Sequence, residues 1–125
     1  MSLSIETKFP SEGTTRLELH GRLDSNTTPQ LDEVLDGVLD GTRKNVVYDL
    51  SDLEYISSAG LRAIFRTKRE LDRVNGGTAV VNPQAPVRRV FEIVQALPVE
   101  SLFTSWAEAD QYFDQIQKKV RDGDA

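Results

Sequence analysis

The chain has 125 residues, 38% of them apolar and 28% charged, with a net charge of −5 and a pI near 4.9. That length supports one domain with a single hydrophobic core, and the acidic balance argues against nonspecific nucleic-acid binding, which needs clustered basic charge. The lack of cysteine excludes a disulfide scaffold, a thiolate metal site and a Cys nucleophile, no apolar run approaches the ~20 residues of a membrane span, and no signal-peptide core follows the start.

Met1 and Ser2 carry little weight in the reading. Leu3, Ile5 and Thr7 alternate with polar residues and predict a first strand that Pro10 ends. Ser11-Glu12-Gly13 predicts a turn. From Thr15 to Gly21 the alternation puts Leu17, Leu19 and then Leu23 on one face, with Arg16, Glu18 and His20 on the other. The short connection predicts an antiparallel hairpin. Gly21 to Thr28 reads as a polar loop holding Asp24, Ser25, Asn26 and Thr27. Thr27 or Thr28 is placed to cap the next helix, and Pro29 suits its first turn. Leu31, Val34, Leu35, Val38 and Leu39 give that helix one apolar face, and Gly41 is expected to end it.

Asn45 to Leu50 lacks alternation, which predicts a strand that is central or covered on both sides. A short polar loop is expected next, then a helix from about Ser58 to Val74 with Leu61, Ile64, Phe65, Leu71 and Val74 on its core side. Asn75-Gly76-Gly77 stops it. Thr78 to Asn82 reads as a buried strand. Pro86 starts a helix with Val87, Val90, Phe91 and Val94 on one face, and Leu97-Pro98 breaks it. Ser101-Leu102-Phe103 reads as a short edge strand, and Ser105 with Glu108 as a capping box. Trp106, Ala109, Phe113, Ile116 and Val120 line a final helix, and 121–125 reads as a frayed tail. Strands alternating with helices imply parallel crossovers, so the expectation is a single α/β domain with a mixed four- or five-stranded sheet flanked by helices. The loops at Asp24 and Ser57 then open at one end of the sheet, where open α/β sheets bind.

No catalytic set emerges. His20 is the only histidine, there is no Gly-x-Ser-x-Gly elbow, and neither the phosphate-binding nor the dinucleotide glycine motif is present. Asp49 lies in a strand while Asp52 and Glu54 lie in the expected loop, so they do not converge as metal ligands. The expectation is a protein that is not an enzyme, with no cofactor and no metal. Two features remain. Arg62, Arg66, Arg69 and Arg73 make a basic stripe at helical spacing, either an ordinary solvated face or a docking surface for an acidic partner. Ser57 and Ser58 meet the start of a helix, where free N–H groups and the dipole favour negative charge. They are either simple caps or a place where a phosphate would be tolerated, with Arg62 within reach.

The stretch Asp49-Leu50-Ser51 through Ile56-Ser57-Ser58-Ala59-Gly60-Leu61 resembles the signature of STAS domains, especially the bacterial anti-sigma factor antagonists. The resemblance covers nearly the whole chain, including Gly21-Arg22-Leu23-Asp24 and Asn82-Pro83. It implies a cytoplasmic partner-switching protein. The unmodified form binds an anti-sigma factor that is a serine kinase; phosphorylation weakens the complex; a serine phosphatase resets it. Carried over by position, the acceptor is Ser58, with Ser57 as the alternative. The partner surface takes in Asp24, Ser25, Asn26, Thr27, Ser57, Ser58, Ala59, Gly60, Arg62 and Arg66. No nucleic acid is contacted directly and no membrane is entered. One position departs from the pattern: Ser57 stands where many members carry Asp. A non-phosphorylated scaffold or ligand-sensing STAS module, in a transporter or signalling assembly, is the alternative.

Overall fold

In a computed structural model that describes residues 2–96 and 106–123, the strands pair in the order β1-β2-β3-β4. They are β1 (Leu3–Ser11), β2 (Thr14–Leu23), β3 (Asn45–Ile56) and β4 (Gly77–Val81). β1 runs antiparallel to β2, and β2, β3 and β4 are parallel. Four helices join them among the described residues: α1 (Thr28–Val38), α2 (Ser58–Asp72), α3 (Ala85–Ala96) and α4 (Trp106–Arg121). The hairpin and the mixed sheet are as expected. The strand expected at Ser101-Leu102-Phe103, the Leu97-Pro98 break and the Ser105–Glu108 box lie outside the described residues.

Alternation on β2 sorts the chain's two environments. Leu17, Leu19 and Leu23 are fully buried, while Arg16, Glu18 and His20 carry a ladder of ion pairs on the other face. Glu18 meets Lys8 at 3.3 Å and Arg16 at 3.2 Å, and His20 Nδ1 meets Asp52 at 3.0 Å. Pro10 does not end β1, which runs on to Ser11 through a register shift. β2 continues to Leu23, taking the first residues of the expected loop; its Gly21 (φ +105°) sits where a Cβ would lie 2.3 Å from the Ser2 carbonyl oxygen.

β3 is the main correction. It is central, but it does not stop at Leu50: the expected loop is strand as far as Ile56. The register against β2 shifts between Glu18 and His20 and again between Gly21 and Arg22. Each shift inserts one extra residue in β3, so its inward side chains fall at Tyr48, Leu50, Leu53 and Ile56. That change from a period of two to three makes Ser51, Asp52 and Glu54 look like a loop. β4 is half-buried, not buried, because it pairs with β3 alone among the described residues.

Helix α1 buries Thr28, Leu31, Leu35 and Val38. Neither threonine hydroxyl caps it. Thr27 Oγ1 donates to the Arg22 carbonyl (2.8 Å) and accepts from the Asp24 N–H (2.9 Å), while Thr28 Oγ1 donates to the Asp24 carbonyl (2.6 Å). The helix ends at Val38, before Gly41, because Asp40 turns the chain by accepting from the Thr42 amide and hydroxyl (2.9 and 2.6 Å).

Two polar contacts inside the fold give measurable effects. The Tyr48 hydroxyl, fully buried, is bonded to Thr67 Oγ1 (2.8 Å), which also donates to the Ala63 carbonyl (2.9 Å). Tyr48→Phe therefore costs only about 1 kcal/mol, whereas Thr67→Val strands the phenol and costs about 2–3 kcal/mol, read from urea unfolding. Asp49 bonds Arg16 and accepts from the Ser51 N–H (3.0 Å). Burial opposes its charge, but the Ser51 hydrogen bonds and the Arg16 guanidinium outweigh it and hold the carboxyl below its usual range. The contribution is complete above the unfolded carboxyl's pKa of about 3.9 and is lost as pH falls through the lower folded value. Asp49→Asn is expected to cost about 1–2 kcal/mol at pH 7 and to flatten the fall in stability below about pH 4, measured by unfolding across pH.

Candidate functional site

The end of β3 and the start of α2 form the site. Ser57 has extended backbone and its N–H donates to the Leu23 carbonyl (2.9 Å), tying the tip of β2 to the start of α2. Its Oγ accepts from the Gly60 N–H (3.3 Å), so Ser57 is the helix cap. Ser58 is the first residue of the helix. Gly60 brings the first turn against the sheet: a Cβ there would lie 2.7 Å from Leu23 Cγ and 3.1 Å from Ile56 Cγ1. Arg62 Nε reaches back to the Ser58 carbonyl (3.4 Å), not toward its hydroxyl.

The loop after β2 lies beside this turn, as expected. Asp24 Oδ1 accepts from the amides of Asn26 (3.0 Å) and Thr27 (3.1 Å), folding the loop on itself. Asp24, Ser25, Tyr55, Ser57, Asp110, Gln111 and Asp114 line a shallow pocket of about 300 Å³. On the other side of α2, Arg62, Arg66 and Arg69 line a groove with Thr28, Asp32 and Ala59. Arg66 is held by Asp32 at 3.5 Å. The tip of α2 thus stands between an acidic mouth and a basic groove. Ser25, Asn26 and Arg62 are exposed, and Asp24, Ala59 and Arg66 half-buried; Thr27, Ser57 and Gly60 are buried and shape the surface from beneath.

A serine taken as phosphoacceptor must be reachable by a kinase, and the structure departs from that requirement. The Ser58 hydroxyl is not accessible: the residue is 0% exposed, and its Oγ has no hydrogen-bond partner. Sequence reasoning also missed the distant partner of its amide. Asp110 on α4 accepts from the Ser58 N–H at 2.7 Å. Farther along α4, the Gln117 amide grips the last residue of β3 from both sides, accepting from the Ile56 N–H (2.9 Å) and donating to its carbonyl (2.7 Å). Phe113, between them, is fully buried. Burial, then the Asp114 carboxylate beside it, pushes the Tyr55 phenol well up from its usual range. Asp110, Phe113 and Gln117 recur at helical spacing, but the apolar pattern alone marks only Phe113.

Among the described residues no other constellation competes. Asp49 pairs with Arg16 and Asp52 with His20, so the carboxylates near β3 do not converge. Glu6, Glu18 and His20 bring ligand atoms within 4.8 Å of one another, but Lys8 already sits on both carboxylates and Arg16 on Glu18. A hollow between α2, β4 and α3 is lined by Ile64, Phe65, Val80 and Phe91 among others, and Ser58 is not on its wall. Among the described residues no helix is long and apolar enough to cross a membrane.

The sequence model of the STAS domain matches residues 7–109. BtrV of Bordetella bronchiseptica, whose name marks it as a candidate anti-sigma factor antagonist, is 39% identical over 75 residues, 60% of this chain. The match spans 65% of BtrV, just under two thirds of its length. The anti-sigma-B factor antagonist of Staphylococcus aureus is 31% identical over 94 residues, 74% of this chain and 85% of that one. The fold is similar to that of unphosphorylated SpoIIAA, an anti-sigma factor antagonist, with a TM-score of 0.68 over 74% of this chain and 81% of that one at 24% identity. The phosphorylated form of SpoIIAA matches at a TM-score of 0.64 over 73% of this chain and 83% of that one, at 23% identity.

Proposed function

This chain belongs to the STAS domain family, and from that membership we propose that it is an anti-sigma factor antagonist working by partner switching. Unmodified, it binds an anti-sigma factor that is also a serine kinase, through the exposed Asp24 loop and the Arg62–Arg66 face of α2. The kinase moves the γ-phosphoryl group of ATP to Ser58 Oγ: the new O–P bond forms, the bond to the ADP oxygen breaks, and the hydroxyl proton leaves to a base on the kinase. A serine phosphatase reverses the change. The protein itself is a binding module and not an enzyme, and it acts in the cytoplasm.

The observation that carries this reading is the Ser58 hydroxyl. It sits at the first position of a helix, where free backbone donors and the dipole favour an added anion, and its Oγ has no hydrogen bond to lose. Thr15 Oγ1 is also buried and unpartnered, but Thr15 contributes a methyl group to the packing; Ser58 has none to contribute. SpoIIAA, which shares the fold, is known in an unphosphorylated and a phosphorylated form.

The test is a pull-down with the unmodified protein, followed by ATP. The expected result is capture of a serine kinase, its release on adding ATP, and one phosphate on the Ser57–Ser58 peptide. Undiminished labelling of Ser58→Ala would overturn the assignment to Ser58 and move it to Ser57. The burial of Ser58 favours one rival, a scaffold or ligand-sensing STAS module that is never phosphorylated. That rival predicts capture of a transporter or signalling assembly and no effect of ATP.

A further inference from the structure

We infer that α4 is an autoinhibitory cover for Ser58, and that the Asp110 carboxylate occupies the anion seat at the tip of α2 which a phosphate on Ser58 would otherwise take. The inference rests on the reading of Ser58 as phosphoacceptor and adds how access to it is controlled.

The tip of α2 offers unpaired backbone donors, and such tips favour anions. Here the Ser58 N–H is already engaged by Asp110 (2.7 Å), and the Gly60 N–H by Ser57 Oγ. The Ser58 hydroxyl has no partner and no exposure. The inferred cover must lift at its Asp110 end before a kinase reaches it.

The same geometry makes the docked helix and a phosphate mutually exclusive. A phosphate adds about −1.5 to −2 charges and three acceptor oxygens. With α4 seated it would stand beside Asp110, and the neighbouring pocket, which Ser57 and Asp110 line, also carries Asp24 and Asp114. Like charges this close repel strongly when water is excluded. With α4 lifted, the phosphate takes the Ser58 N–H for itself. Docking of α4 therefore resists phosphorylation, and phosphorylation keeps α4 undocked. The clamp of Gln117 on Ile56 is the latch on the other side of Phe113.

The chain has no cysteine, so Ser58→Cys supplies one thiol at the acceptor position. Its reaction with a disulfide reagent such as DTNB is expected to be at least about a hundredfold slower than in the urea-unfolded chain. Adding Asp110→Ala, which removes a charge-assisted bond, is expected to speed it at least about tenfold with the far-UV circular dichroism unchanged. Gln117→Ala is expected to act in the same direction. A second measurement leaves position 58 free of cysteine: phosphoserine encoded there is expected to raise amide hydrogen exchange over residues 110–121 at least about tenfold while β2 is unaffected. Native labelling as fast as unfolded, labelling unmoved by Asp110→Ala, or α4 exchange unchanged by phosphoserine would each overturn the inference. None of these measurements uses the kinase. A failed pull-down beside a protected, Asp110-dependent thiol would sink partner switching alone; the reverse would sink the cover alone.

Discussion

Ser58→Asp is expected to weaken binding of the anti-sigma partner at least about a hundredfold, roughly 3 kcal/mol, while Ser58→Ala changes the dissociation constant by less than about threefold. The contrast follows from charge. A carboxylate at position 58 replaces a fully buried side chain and stands on the residue whose N–H already bonds the Asp110 carboxylate. It must either lift α4 or stand as an anion in the partner interface, and both oppose the complex. The alanine only deletes a hydroxyl that bonds nothing, so its folding stability should stay the same or rise by up to about 1 kcal/mol. Calorimetric titration of the captured kinase against the three proteins reads the first effect, and a urea melt the second. Equal affinities for Ser58→Asp and the unmodified protein would remove Ser58 from the interface.

Phe113→Ala carries the other large effect. Phe113 is the fully buried anchor of α4, lying between the Asp110 and Gln117 contacts. Truncating a buried Phe costs about 3–5 kcal/mol, a large part of the 5–15 kcal/mol that holds a domain of this size. The expected result in urea is one cooperative transition with its midpoint lowered accordingly. A loss below about 1 kcal/mol, with the Ser58 amide exchanging freely, would mean that α4 detaches as a unit of its own. Either outcome fixes how much of the fold's stability is spent keeping Ser58 covered.

Much of this architecture was legible in the chain because it is written in local periods. Alternation gave the inward leucines of β2, and helical spacing gave the faces of α1, α2 and α3. The polar loop at Asp24 was placed beside Ser57 by topology alone, since parallel crossovers bring both strand ends to one edge. Where the reading slipped, a regular period had been broken. Two extra residues in β3 shift its inward positions from every second to every third, and a strand with that pattern looks like a turn. The threonines before α1 had the composition of caps, but Arg22 and Asp24 took their hydroxyls.

What the sequence by itself determined is the α/β frame, the place of Ser58 at the mouth of a helix and the family pattern around it; all of these depend on neighbours within a few turns or a strand. What only the tertiary structure decided is whether that serine can be touched. Its amide is claimed by Asp110, 52 residues away, and a carboxylate on one helix says nothing about which helix tip it will meet. Periodicity fixes which face of an element turns inward, but the seating of one element on another depends on shape and polar matching between distant segments, and those are settled only when the chain has folded.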